Sequence, residues 1–421
     1  MVRRKNRKGI AMASTPITRA FLDQIPKTDL HLHLDGSLRI PTLIELAREA
    51  KIRLPSETEE GLRELVFKEQ YTDLPDYLKG FALILPVMQT PEQLERIAYE
   101  LAEDNIRENV RYIEVRYAPQ QHVREGFPMR EVVASVDRGL ARAAKAHNGS
   151  AAVKEGRDLP FHYGIIVCAM RFFTPQMSSC YAEFFRVMPY ARPRDVFAAA
   201  SLETVRAGVA LAEEGLPVVG FDLAGAEYGY PAGDHKAAFD HAQMHFMRRT
   251  VHAGEAFGPE SIFQALAQCH ADRIGHGTFL FDADKVTDPS IADPEEYVGK
   301  LVDTIAKRRI TLEVCPTSNL QTIPSIRSVA EHPVRKMVEN ELSVSICSDN
   351  RLMSTTCPAK ELEKVCTEIG LTRRQLRNIV LAGFKGAFFP GSYKEKRALV
   401  REVIKRYAAL EVEHFGDAIL V

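Results

Sequence analysis

Beyond its first two dozen residues the chain alternates short apolar runs of strand length with longer segments of helical period, and the alternation repeats eight times. The strand runs are 28–34, 110–118, 161–169, 218–223, 249–252, 273–276, 310–315 and 342–348. Helical stretches lie between them at 41–50, 91–109, 130–147, 194–214, 259–269, 294–308 and 332–340, several with proline in the first turn, where its missing N–H costs nothing. Strand and helix alternating over nearly the whole chain predict a parallel sheet of α/β class, and eight units are the number that closes a (β/α)8 TIM-type barrel. A doubly wound open sheet is the alternative. The Gly-x-Gly-x-x-Gly turn and the phosphate-binding loop that would accompany a nucleotide-cofactor fold are missing. Extra helices between 43 and 109, and two segments at 358–370 and 372–407, read as elaborations of a single domain over 27–421. No Gly/Ser linker, low-complexity block or solenoid repeat divides it.

The length of 421 residues fits one large barrel as well as two or three smaller domains, so the pattern decides. With 45% hydrophobic and 26% charged residues the composition is that of a soluble globular protein. Fifty-five Lys and Arg against 56 Asp and Glu leave a net charge of -1, so no global field draws the chain to nucleic acid or to an anionic membrane. A small neutral ligand fits better. Seven cysteines stand singly, without a Cys-x-x-Cys pair, which predicts a reducing, cytoplasmic setting. No apolar run approaches the roughly 18 to 20 residues that span a bilayer. Arg3, Arg4, Lys5, Arg7 and Lys8 make the start of the chain basic, and residues 1–26 are expected to form a flexible tail, although a targeting role would leave the same mark.

The chemistry concentrates at the ends of the strand runs. His31 and His33 lie two apart in the first, so both imidazoles face one way, and in a barrel strand that face is the lumen. Two neutral imidazoles there suit a divalent transition metal such as zinc, although alone they would more simply be core histidines. They do not stand alone. His252-Ala253-Gly254-Glu255 follows the fifth strand, Gly275-His276-Gly277 the sixth and Ser348-Asp349-Asn350 the eighth. These glycines could be ordinary turn residues and Asp349 a helix cap, but all three clusters occupy the face where barrel enzymes place catalysis. His241 and His245 also share a helix face, where a solvated helix is the simpler reading.

Taken with Asp-Leu-Ala-Gly at 222–225 and Cys-Pro-Thr-Ser-Asn at 315–319, these motifs make residues 27 to 389 resemble the adenosine deaminase family within the metal-dependent amidohydrolase superfamily. The resemblance implies one Zn2+ per chain held by His31, His33, His252 and Asp349, with a water completing an open, catalytic site. It implies that Asp349 and His276 orient and deprotonate that water, and that Glu255 protonates N1 of the purine. Gly225 would offer its backbone N–H to purine N3, Asp35 would hold the ribose 5′-hydroxyl, and His33 would also border the substrate. A donating carboxylic acid needs a raised pKa, which burial supplies, and His276 beside a cation should titrate low. The implied substrate is a purine nucleoside, adenosine or 2′-deoxyadenosine, and not nucleic acid.

Two departures stand out. Many members of the family have two consecutive aspartates where this chain has Asp349-Asn350; an amide can donate to purine N7 at any pH, so purine binding need not be lost. The acidic stretch 281–298, with Asp282, Asp284, Asp288 and Asp293, is an expansion expected at the pocket mouth. A 5′-modified adenosine is the alternative substrate, against which Asp35 argues. A non-catalytic metal-stabilised binding protein would be expected to lack an acid or a ligand, and none is lacking. Oligomeric state is not legible.

Overall fold

In the computed structural model, which describes residues 16–419, eight strands form one sheet in the order β1 to β8. They are β1 Lys27–His33, β2 Val110–Tyr117, β3 His162–Met170, β4 Val218–Ala224, β5 Arg248–Ala253, β6 Arg273–His276, β7 Thr311–Val314 and β8 Ser343–Ile346. Neighbours pair in parallel from β1 through β8. The ring closes between β8 and β1 through one parallel bridge, Leu32 with Asp349, where Asp349 N–H donates to His31 O at 2.8 Å and His33 N–H to Asp349 O at 2.9 Å. The chain is a single-domain (β/α)8 barrel, and every strand lies within two residues of its predicted run.

Parallel strands are covered on the outside by their crossover helices, so both faces are buried and the sequences read as nearly continuous apolar runs. The polar exceptions face inward. On β2, Glu114 and Arg116 are two apart and share the lumen with Asp222 of β4, Arg273 of β6 and Glu313 of β7. Arg116 donates to Asp222 at 2.9 Å and to Glu313 at 2.8 Å, while Arg273 donates to Glu313 at 2.6 Å and to Glu114. These are fully buried ions, tolerable only because each is paired and hydrogen-bonded. They floor the lumen beneath the strand ends.

Outside the barrel, helix Met129–Asn148 lies against helix Pro91–Arg107 at Gly139, where an added Cβ would meet Glu95 O at 2.2 Å, so only glycine permits that approach. Between β1 and β2 the short helices Leu74–Leu78 and Phe81–Ile84 lean over the mouth. The packed body begins before position 27. Helix Arg19–Gln24 buries Phe21 and Leu22, with Phe21 edge-on to Tyr407 at 5.6 Å, so the later half of the expected tail is part of the fold. Residues 1–15, with the basic cluster, lie outside the described residues. The segment expected at 372–407 is two helices, Arg373–Gly386 and Tyr393–Phe415, separated by Pro390-Gly391 and restarted by a Ser392–Glu395 capping box. None of residues 281–298 lines the large cavity at the mouth. Their acids act locally instead: Asp293 caps helix Pro294–Arg308 and Asp288 holds a turn through Ser290 N–H, while Glu260, from outside the stretch, fastens the loop through the Thr287 and Asp288 N–H groups. All seven cysteines are free. Among the described residues no helix is long and apolar enough to cross a membrane.

Candidate active site

The C-terminal ends of β1, β5, β6 and β8 deliver His31, His33, His252, His276 and Asp349 to one point above the ionic floor. His33 Nε2 and His252 Nε2 are 3.1 Å apart, and Asp349 Oδ1 lies 3.5 Å from His33 Nε2 and 3.6 Å from His31 Nε2. Ring nitrogens of His31, His252 and His276 also fall within 4.8 Å of one another. The backbone bends sharply to achieve this: His276 and Asp349 are left-handed at φ 64° and 61°, a conformation uncommon outside glycine and concentrated at functional sites.

The hydrogen bonds behind these side chains decide which nitrogen carries a proton. His31 Nδ1 meets Glu313 at 2.8 Å and His252 Nδ1 meets Asp222 at 3.1 Å; both partners are carboxylates, which only accept, so each Nδ1 holds the hydrogen and each Nε2 lone pair points inward. His31 Nε2 is buried without a partner. Ser318 Oγ donates to Asp349 Oδ2 at 2.6 Å and leaves Oδ1 facing the imidazoles. Inward lone pairs, an orphaned buried nitrogen and a carboxylate oxygen converging in this way form a donor set that suits a divalent cation. Burial together with the positive neighbours holds His31, His33 and His276 well below the ordinary imidazole range. At His252 burial is outweighed by the Asp222 carboxylate, which raises it. Cys315 also approaches His31 and Asp349, but burial pushes its thiol well up, so it stays a neutral thiol there.

Glu255 faces this cluster from the loop after β5, with Oε1 3.7 Å from His276 Nε2. Burial, reinforced by the nearby Asp349 and Glu227 carboxylates and opposed by His252, lifts its pKa to about 8. The loop is wound around Glu227, which accepts N–H bonds from Gly254, Glu255, Ala256 and Phe257 at 2.7 to 3.0 Å and the Ser261 hydroxyl. Sequence reasoning gave Glu227 no part. It stands two residues beyond Gly225, and nothing in its spacing announces a partner in another loop. Asp222, Ser318 and Asn319 lay inside the motifs already singled out but carried no assigned role, and Glu313 carried no signal at all.

A cavity of about 640 Å³ opens beside the cluster, bordered by His33, Asp35, Gly225, His252, Glu255, His276, Asp349 and Asn350 and walled by Leu74, Leu78, Phe81 and Leu85. Asp35 does not cap the helix that follows. That helix, Ile40–Glu49, has Arg39 at its cap without a side-chain bond, whereas Asp35 Oδ1 is buried and unpartnered at the cavity and burial lifts its pKa to about 7. Gly225 has φ 98°, and a Cβ there would come within 3.2 Å of Met170. Asn350 Oδ1 is likewise buried without a partner, packed so closely on Gly36 that a Cβ at 36 would sit 1.8 Å from it. The structure thus gathers the residues singled out as ligands, acid or substrate contacts around one cavity, except that His31 is fully buried behind its wall, beside Asp349. His241 and His245 remain a separate ring pair, 4.3 Å apart, at the end of helix Lys236–Met244.

Two stretches of the chain, residues 26–199 and 194–406, match the Adenosine deaminase family. The adenosine deaminase of Mycobacterium avium (strain 104) is 35% identical over 400 residues, which span 94% of this chain and 99% of that protein. That of Mycobacterium leprae (strain TN) is 36% identical over 402 residues, with the same coverage. Among solved structures, a zinc-bound amidohydrolase from Burkhoderia ambifaria superposes with a TM-score of 0.73 at 23% identity over 98% of both chains. The N6-methyl-AMP deaminase of Arabidopsis thaliana superposes at 0.70 and 23% identity, over 92% of this chain and 98% of that one. At such identity the structural likeness speaks for the fold.

Proposed function

The chain belongs to the adenosine deaminase family and is a hydrolytic deaminase, and we propose that it converts adenosine and 2′-deoxyadenosine to inosine and 2′-deoxyinosine with release of ammonia, using one zinc ion. The observation that carries this reading is the pairing of a cation-ready donor set with a neutral acid on the wall of one cavity of about 640 Å³. His31, His33, His252 and Asp349 would hold the metal, which when bound supplies the concentrated positive charge that acidifies a water. Glu255, protonated at neutral pH because it is buried, gives its proton to purine N1, so that C6 can accept the oxygen nucleophile and release the amino group. Ser318 holds Asp349 from behind, and Asp349 and His276 would orient the water. Gly225 meets N3 with its N–H, Asn350 meets N7 with its amide, and Asp35 holds the 5′-hydroxyl. A carboxylate at that position disfavours a 5′-phosphate, so a nucleoside is preferred to a nucleotide.

The test is a spectrophotometric screen of adenosine, 2′-deoxyadenosine and 5′-substituted adenosines, combined with elemental analysis for zinc. The expected result is deamination of the first two and one zinc per chain. A preference for 5′-substituted substrates would shift the assignment to a modified nucleoside, and full activity in protein shown to be metal-free would overturn the metal-dependent reading.

A further inference from the structure

His276 contributes one nitrogen to the site and turns the other towards a buried pair of residues that no step above has used. Asn319 Nδ2 lies 3.1 Å from His276 Nδ1, and Asn319 Oδ1 lies 3.2 Å from His332 Nε2. Behind them the backbone N–H of Val334 points at His332 Nδ1, 3.0 Å away. All three side chains are buried. A backbone N–H can only donate, and this fixes the whole chain of bonds. His332 Nδ1 must accept, so neutral His332 carries its proton on Nε2 and gives it to Asn319 Oδ1. The Asn319 amide is thereby oriented with its NH2 towards His276, whose Nδ1 must accept in turn. Burial keeps His332 neutral, with a pKa of about 3, so the direction of the chain does not reverse at physiological pH.

We propose that Asn319 and His332 are positioning residues which, anchored on the Val334 N–H, hold His276 in the tautomer with its proton on Nε2. In that tautomer His276 presents a donor to the site. It faces Glu255 and the inward nitrogens of His31 and His252 with an N–H, suited to hold negative charge on an oxygen placed between them, not with a lone pair able to take a proton from it. This narrows the role of His276 in the reading above, on which it rests for the reaction alone; the tautomer is a property of the folded chain. The position was readable in the sequence only as the Asn of Cys-Pro-Thr-Ser-Asn and an unremarked His-Pro, because their link to His276 depends on β6, helix Pro316–Thr322 and the 332–334 turn coming together.

The test reads the ring nitrogens directly. Protein with 15N-labelled histidine side chains is measured by NMR with and without zinc, the His276 signals being assigned by their loss in a His276→Asn variant. The expected result is an unprotonated Nδ1 and a protonated Nε2, exchanged in Asn319→Asp, whose carboxylate can only accept and so demands a proton on Nδ1. A protonated Nδ1 in the unaltered chain, or an unchanged tautomer in Asn319→Asp, would overturn the proposal. Should Asn319→Asp not fold, His332 supplies the second pair. His332→Gln retains an acceptor and a donor and should keep kcat within about threefold. His332→Ala should lower kcat about ten- to a hundredfold with KM nearly unchanged, the scale for losing a group that orients a site residue. Equal losses in the two variants would defeat the relay. An unaltered chain that shows the tautomer but deaminates no adenosine would refute the substrate assignment and leave the relay standing.

Discussion

Two carboxylates in the same barrel, a few residues apart in height, live opposite lives. Glu313, in the floor, is saturated: it accepts from His31, Arg116, Arg273 and the Thr250 hydroxyl. Glu255, at the mouth, is also buried but has no cation bonded to it, and the pull of His252 and Arg171 is countered by the Asp349 and Glu227 carboxylates. Burial alone is therefore uninformative about what a charge does. In the floor it is matched by arginines, and the ions become a rigid scaffold that fixes the histidines above. At the mouth it is left unmatched, and the free energy of desolvation appears as an acid that keeps its proton near neutrality. Glu227 lies between the two cases, its carboxyl oxygens taken up by backbone N–H groups, and what it stabilises is the shape of the loop that carries Glu255.

That division can be broken at either layer. Chelation of the metal should have the largest effect, complete loss of turnover, since the inward lone pairs then face one another without a cation; the check is activity against zinc content through removal and restoration. Next, Glu255→Gln should slow turnover by roughly two to four powers of ten while leaving the unfolding midpoint and metal content in place, because the amide cannot pass a proton. In the floor the reverse is expected. Arg273→Ala leaves Glu114 buried without its bonded cation and Glu313 with Arg116 alone, and should cost about 3 to 5 kcal/mol of stability in denaturant unfolding, far more than it changes the barrier to turnover. If Arg273→Ala slowed turnover as much as Glu255→Gln with stability intact, the two layers would not be separate.

The pH dependence sharpens the same contrast. Glu255 moves from an ordinary 4.5 to about 8 on folding, so the folded chain holds this proton more tightly than the unfolded one. Its contribution to stability is complete below 4.5 and is lost as pH rises through 8, and turnover should fall in the same direction above about 8, where the acid has been spent. Glu255→Gln should remove that limb from both profiles. The smallest effect belongs to Asn350→Ala, at about 1 to 3 kcal/mol in transition-state terms for adenosine and little for 7-deazaadenosine, which offers no acceptor at position 7. Equal losses on both substrates would mean that Asn350 shapes its loop rather than reading N7.

The strands were legible in the sequence because a buried parallel strand has to be an apolar run between turn residues, and His31 and His33 were legible because a period of two is local. Glu227 was not, since its four N–H partners come from a different loop, nor was the floor, whose Arg116–Asp222 and Arg273–Glu114 pairs join positions 106 and 159 residues apart. Such contacts exist only once the ring has closed. The acidic stretch 281–298 misled for the opposite reason: charge along a sequence looks like a surface, whereas here Asp288 holds a turn and Asp293 caps a helix, each within a few residues. Resemblance to the family supplied what spacing could not, the roles proposed for Gly225, Asp35 and Glu255.

The seam between β8 and β1 bears on the order in which the chain can mature. Its single bridge pairs Leu32 with Asp349, and directly below it Asp29 accepts from the N–H and hydroxyl of Ser348, 319 positions further along. During synthesis, therefore, His31 and His33 emerge early and wait through nearly the whole of translation for the aspartate that faces them in the folded chain. Until then two exposed imidazoles offer only a weak, indiscriminate grip on any passing transition metal. Because the proposed ligand set is brought together by the same contacts that shut the ring, a cation held there would bind a finished barrel and fasten its first strand to its last.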